Sequence, residues 1–249
     1  MDTGFADLTD DFFVNLSVQT TLPLPRSRET VLNYFEAVQK QFPGMASFYQ
    51  REGGEYILEG DRESGRYRWM EVQANQLAAG YFNPPSLADG YHLHQWLLER
   101  SVYFLGISGL DVEALDVLFG FNLDYRGNRD AILADALLAG SPLAAFAGEP
   151  GARPVEFEPS LVVALDENCY LQARLSLETR SSSYQVRTGQ YEDEPISVYF
   201  TVRRYPSPGR VIKMAECFAE QCEMGEDLVS RVVAPNVIQP IVAAIATSR

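Results

Sequence analysis

The residues of this chain that could bind a metal or act in catalysis are first its two histidines, His92 and His94, and its three cysteines. An H-x-H pair on a strand places both imidazoles on one face, where they can chelate zinc. On a helix, residues two apart point about 200° apart around the axis. Residues 91–96 fit a helix, so we expect one packed and one exposed histidine and no metal site.

The cysteines offer no compact reactive pair. Cys217 and Cys222 are five residues apart, so on one helix they lie well over a right angle from each other, and Cys169 is remote in sequence. Cys217 is the one candidate for a further metal ligand with the histidines, and a lone cysteine with a histidine distant in sequence could in principle act as nucleophile and base. Nothing local supports that chemistry, and no CxxC pair is present, so reduced packing thiols are predicted.

Several catalytic signatures are missing from the sequence. It contains no G-x-S-x-G elbow, no G-x-x-x-x-G-K-[ST] loop, no H-E-x-x-H and no G-x-G-x-x-G after a strand. Their absence disfavours common serine hydrolases, P-loop ATPases, zincin proteases and Rossmann oxidoreductases. We therefore assign no catalytic residue and expect no cofactor.

Aromatic and arginine side chains alternate along several predicted strands and are the main candidates for a binding surface. Such a face can stack planar ligands or anchor a protein partner. The alternative is cross-strand pairing that only stabilises a sheet. Together with residues of the histidine helix, the candidate binding residues are His92, His94, Trp96, Trp69, Tyr81, Arg174 and Arg203.

The chain is acidic, with a formal net charge of -14 over 249 residues. That charge opposes binding to nucleic acid and to anionic lipid, because both reward clustered positive charge. No apolar run reaches the roughly 18 residues of a membrane span, and the first residues lack the features of a secretory signal. We expect a cytoplasmic protein with a protein partner or a second copy of itself, and neither a nucleic-acid nor a membrane partner.

The first half alternates strand and helix patterns. A helix capped by Ser27 runs to Pro43, and a longer helix begins after Ser86. The predicted strands of this half are 12–22, 46–51, 55–60 and 66–82.

The second half follows the same order with longer loops. Asn128 caps a helix that Gly140 stops, and Ser141-Pro142 begins a short further turn. The polar segment 181–194 is predicted to be a loop, and Pro235 and Pro240 are expected to split the apolar tail from Glu226 into two short helices or a kinked one. The predicted strands are 114–125, 160–166, 169–180 and 195–204, with a helix at 209–223.

These elements predict an α+β fold with two tandem β-α-β-β-β-α repeats, residues 1–109 and 110–249, forming one compact unit. The repeats would build a largely antiparallel, saddle-like sheet about a pseudo-twofold axis, with helices packed on one face. In element order this outline resembles TATA-binding-protein-like folds. A tandem hotdog protein is similar in its opening strand-helix-strands order.

Three functional hypotheses follow. The missing catalytic motifs favour a non-enzymatic binding or assembly module that uses the open sheet face or the apolar tail. The alternative, implied by the hotdog resemblance, is an acyl thioester hydrolase with its site between the lobes. Nucleic-acid binding by a saddle follows from the shape alone, and the net charge opposes it.

Overall fold

A computed structural model describes Phe5, residues 8–209 and residues 211–248. Within these ranges the protein is α+β, with a nine-stranded, open, antiparallel sheet in the order β2-β3-β4-β5-β1-β6-β9-β8-β7. The strands are β1 (Asp11–Thr20), β2 (Ser47–Gln50), β3 (Tyr56–Glu59), β4 (Tyr67–Val72), β5 (Gln76–Phe82), β6 (Val112–Leu123), β7 (Ser160–Ala164), β8 (Leu171–Glu178) and β9 (Ile196–Arg204). The helices are α1 (Arg28–Gln41), α2 (Leu87–Phe104), α3 (Arg129–Leu137), α4 (Leu143–Ala147), α5 (Ser183–Thr188), α6 (Met214–Leu228) and α7 (Gln239–Thr247), and a 3₁₀ turn spans Arg62–Ser64.

The two long strands β1 and β6 pair at the centre of the sheet. Val14 lies opposite Phe119, and Asn15 lies opposite Leu118. The alternation of apolar and polar residues along β1 puts Val14 on a fully buried face and Asn15 on the opposite, half-buried one. The sequence pattern of this strand therefore separates a core face from an open face.

Two helices cover the core face. A Cβ at Gly90 of α2 would collide with Val14, and one at Gly225 of α6 would collide with Phe119. Both helices therefore approach the central strand pair closely, and they also contact each other. Gln221 of α6 strengthens the contact, because its Nε2 donates to the main-chain carbonyls of Leu115 and Val202 at 2.8 Å.

The region 66–82, predicted as one strand, is two strands. Main-chain hydrogen bonding from Gln73 to Gln76 closes a tight turn between β4 and β5. The turn was missed because residues 73–75 contain neither glycine nor proline. Four strands therefore lie between α1 and α2 rather than three.

The polar segment 181–194 is also not wholly loop, because it contains α5. Ser182 accepts from the backbone of Gln185, whose side chain in turn accepts from the backbone of Ser182. This capping box explains why a short polar helix forms there. The caps predicted at Ser27, Ser86 and Asn128 are confirmed, since each side chain accepts from a backbone N–H three residues on.

The apolar tail does not break at its prolines. The helix runs on from α6 through a π-helical segment, Val229–Ile238, into α7. Pro235 lies in the widened segment, and the Asn236 side chain donates to the Val232 carbonyl at 2.8 Å. The widened turns accommodate the proline ring, so the tail is one continuous helix and not two short ones, and the alternative of a kink stays a prediction.

Taken as one helix, Met214–Thr247 is long and apolar enough to cross a membrane by length and composition, with a hydropathy of 1.6. It is the one such helix within the described ranges. One side of it is buried, including Val229, Val233 and Ile241, and its last part packs against α3. A helix that covers the core of a folded domain can have the same composition, but only 33% of the apolar 18-residue window is buried here, so packing accounts for one side of the helix alone.

Candidate binding site

The open face of the sheet carries a cavity of about 450 Å³. Its walls include Trp69 of β4 and Val162 of β7, which are six strand spacings apart in the sheet. A flat sheet would separate those strands by about 29 Å, given about 4.8 Å per strand. Because one cavity touches both strands, the sheet curves inward over this face.

Trp69 and Asn15 line the cavity, and Gly80 lies beneath their side chains. The three residues are neighbours on β4, β1 and β5 in the register of the sheet. A Cβ at Gly80 would collide with both the Asn15 Oδ1 and the Trp69 Nε1 atoms, so these polar atoms lie directly over the glycine. The glycine is needed because only a bare backbone leaves room for the indole and the amide.

The amide oxygen of Asn15 is buried and has no hydrogen-bond partner among the described residues. A buried acceptor without a partner costs about 1–3 kcal/mol relative to a satisfied one. Next to it, the Gln76 side chain donates to the Ser17 hydroxyl at 2.6 Å, so that neighbouring pair is satisfied. Asn15 Oδ1 is closed to solvent, so a donor from outside the chain would satisfy it only after neighbouring side chains move to expose it.

The two arginines of the cavity differ in whether they are paired with a carboxylate. Arg203 forms a two-point pair with Asp116, with Nε to Oδ1 at 2.7 Å and Nη2 to Oδ2 at 2.6 Å. These hydrogen bonds raise the pKa of the Arg203 guanidinium above its usual value. Arg174 is exposed and has no salt-bridge partner among the described residues. It is the cation that an incoming anion would meet.

Three of the candidate residues, Trp69, Arg174 and Arg203, come together in this cavity. Tyr81 does not, because it pairs with Val14 and therefore lies on the core face. There its ring is covered by the guanidinium of Arg68, 4.3 Å from the ring centroid. Tyr81 is a core residue of the helical side.

The remaining candidates, His92, His94 and Trp96, lie on α2 in the helical layer. His92 is exposed and Trp96 is half-buried, and both rings contact Phe42 with centroids 5.7 Å apart. His94 is fully buried, and burial lowers its pKa to about 3. None of the three lies in the open-face cavity, and in the described ranges no three His, Cys, Asp or Glu side chains converge on a metal position.

The polar cavity residues Asn15, Ser17, Gln76 and Asp116 were missed by sequence reasoning. A signal was available for β1, because Asn15, Ser17 and Gln19 are the polar half of its alternation. A polar stripe on the central strand of an open sheet marks the face that is not covered by helices.

A second cavity of about 730 Å³ lies between the end of β9 and α6 and includes Cys217. Burial raises the pKa of the Cys217 thiol, so it stays protonated and unreactive at neutral pH. This cavity holds neither tryptophan, and the arginine in its wall, Arg204, is paired with Glu220 at 2.8 Å. The open-face cavity is therefore the stronger candidate.

Comparison with known proteins gives little similarity. No protein-family model and no curated protein matches the sequence. Among solved structures, the chain matches the di-domain ARO/CYC BexL from the BE-7585A biosynthetic pathway with a TM-score of 0.24 and 7% identity. The match covers 94% of this chain and 98% of that one, and at this level it supports no conclusion about function.

Proposed function

We propose that this protein is a non-enzymatic binding module whose open sheet face holds a small organic acid with a flat apolar body. A cavity of about 450 Å³ suits a small molecule. Trp69 would stack on the flat body, and Arg174 would pair with the acid group. A hydrogen-bond donor on the ligand would satisfy Asn15.

The observation that carries this proposal is the unpaired amide oxygen of Asn15 beside the Trp69 indole. A buried acceptor beside an aromatic surface in a concave site is an arrangement in which a ligand donor would gain a hydrogen bond that the packed chain does not supply. The sheet supplies both residues from rigid strands. The strands themselves therefore need no rearrangement, and side-chain movement alone would expose the buried Asn15 oxygen to a ligand.

The ion pair in the cavity supports binding rather than turnover. A general base needs a carboxylate or imidazole that is free to take a proton. Asp116 is held at both oxygens by Arg203, and both histidines lie in the helical layer. The hotdog alternative would need a buried central helix, whereas α1 has an exposed side as well as its buried Val31 and Val38.

We also propose that residues 1–109 and 110–249 are repeats within one compact unit. The strand order supports this, because β5, β4 and β3 follow β1 outward as β9, β8 and β7 follow β6. The extra strand β2 has no counterpart. A cytoplasmic location, and the lack of a nucleic-acid or membrane partner, stay predictions from the sequence.

The proposal can be tested with Trp96→Phe, which leaves Trp69 as the single tryptophan. Titration with aromatic carboxylates, and with the matching amides as uncharged probes, should quench or shift Trp69 fluorescence for the acids. In that background Arg174→Gln should weaken binding about 10-fold or more, as expected for losing a charge-assisted hydrogen bond. Arg28→Gln is the control, because Arg28 is an exposed arginine on α1.

Two results would contradict the proposal. One is a Trp69 signal that no acid in the panel changes. The other is an equal loss of affinity in Arg174→Gln and Arg28→Gln, since a general charge effect does not depend on position.

A further inference from the structure

The edge strand β7 is unusually open for the end of a sheet. All five of its residues are exposed, with Leu161, Val162 and Val163 at 64%, 51% and 43%. The strand contains no charged residue, although the whole chain has a net charge of -14. Edge strands are normally protected by charges, prolines or bulges, and β7 itself has none of these.

The hydrogen bonds of β7 fix which of its backbone groups are free. Leu165 N–H donates to the Leu171 carbonyl, and Leu177 N–H donates to the Pro159 carbonyl. In an antiparallel ladder the bonded residues alternate, so odd-numbered residues of β7 bond to β8. The N–H and C=O groups of Ser160, Val162 and Ala164 therefore point outward, away from β8.

We propose that β7 pairs antiparallel with β7 of a second copy of this chain, about a twofold axis through Val162. In this register Val162 lies opposite Val162, and Ser160 lies opposite Ala164. Each outward N–H then meets an outward C=O of the other copy, so every free group of the strand is satisfied. On the other face, Leu161 of one copy packs against Val163 of the other.

The self-complementary register is the reason to choose a second copy as the occupant. Antiparallel pairing of a strand with itself is isologous, so it closes at two copies and leaves no β7 edge free. Residues 159–165 are uncharged, so the paired strands bring no like charges together, and the flanking acids Glu158 and Asp166 face each other only at the two ends of the pairing.

Other exposed apolar side chains lie close to β7 in sequence. They precede the strand on α4 and the following loop, and they are Leu143, Phe146 and Val155. Their exposed fractions are 60%, 83% and 43%. The strand pairing by itself is smaller than a stable interface requires, so the dimer must also bury apolar area outside β7.

Substituting Val162 by lysine in one variant and by glutamate in another tests whether the partner is a second copy and whether Val162 lies opposite Val162. Light scattering after size exclusion should give twice the 27.8 kDa chain mass for the wild type and the single-chain mass for Val162→Lys and Val162→Glu. Each variant places like charges opposite each other at the axis. An equimolar mixture of the two variants should regain the double mass, because lysine then faces glutamate.

Proline substitution provides a second test that spares the fold. Val162→Pro removes an N–H that β8 does not use, so the monomer should stay folded while the dimer is lost. The control is Gln50→Pro on β2, whose N–H also points outward at the opposite edge of the sheet. A monomeric wild type at the highest soluble concentration, or a mixture that stays monomeric, would overturn the proposal. Equal dissociation by Gln50→Pro would do the same.

Discussion

The imidazole of His94 meets the ring of Phe218 edge to face, with ring centroids 5.9 Å apart and an angle of 87° between the planes. This contact joins α2 to α6 over the centre of the sheet. Neither ring nitrogen of His94 has a hydrogen-bond partner among the described residues. The histidine is held neutral inside the helical layer, with its pKa lowered to about 3 by burial.

Because His94 is buried and neutral, we expect the protein to lose stability as the pH is lowered. The unfolded chain takes up a proton at His94 below its ordinary pKa of 6.5, whereas the folded protein does not until about pH 3. Between these values the free energy of unfolding should fall by up to about 1.4 kcal/mol per pH unit from this group. Urea unfolding at several pH values above the carboxylate range measures this slope.

A pair of variants isolates the contribution of His94. His94→Leu should reduce the dependence of the free energy of unfolding on pH. His92→Leu should leave that dependence unchanged because His92 is exposed. The comparison is made between pH values within each variant, so a uniform loss of stability cancels. An unchanged slope in His94→Leu would show that other groups cause the acid sensitivity.

The packing of the Trp69 indole over Gly80 gives a second prediction. Gly80→Ala should displace the indole and the Asn15 amide, and overpacking of this kind costs about 1–3 kcal/mol. With Trp96→Phe as background, the Trp69 emission spectrum should change. Gly44→Ala is the matched control, because a Cβ at Gly44 meets nothing within 4 Å. An identical emission spectrum in both variants would contradict the packing of the indole over Gly80.

Local signals in the sequence predicted three helix starts correctly, but they missed α5, placed the start of α6 at 209 instead of Met214, and merged two strands into one. Ser27, Ser86 and Asn128 form their caps because the capping bond depends only on residues three positions apart. The turn at residues 73–75 has no such local signature. It is fixed by the pairing of β4 with β5, which is a tertiary contact.

The same turn explains why part of the site was misjudged. On a single strand over 66–82, Trp69 and Tyr81 are an even number of residues apart and would share a face. In the hairpin Trp69 lies opposite Gly80, so Tyr81 lies on the other side of the sheet. Arg174 and Arg203 were found because β8 and β9 lie within strands that were predicted whole.

Enzymatic hydrolysis of acyl thioesters is expected to be absent. Both oxygens of Asp116, the carboxylate of the cavity, accept hydrogen bonds from Arg203, so the group is engaged in an ion pair and is not free to serve as a general base. A screen of acyl-CoA chain lengths with free thiol as the readout should give no release above the uncatalysed rate. Turnover that Asp116→Asn abolishes would contradict the binding role.

The final prediction concerns the long C-terminal helix. If it covers the sheet, neighbouring valines must behave differently, because Val232 is 40% exposed and Val233 is 2% exposed. Val232→Lys should change the free energy of unfolding by less than about 0.5 kcal/mol, as surface changes do. Val233→Lys buries an unpaired charge and should cost about 3 kcal/mol or more.

The same variants separate packing from membrane insertion. A helix that spans a bilayer meets lipid on its outer side, so Val232→Lys would then be costly too. The wild-type protein should stay in the dense fraction when floated with lipid vesicles. Comigration with vesicles that Val232→Lys abolishes would show that the helix inserts, and it would overturn its assignment as a cover for the sheet.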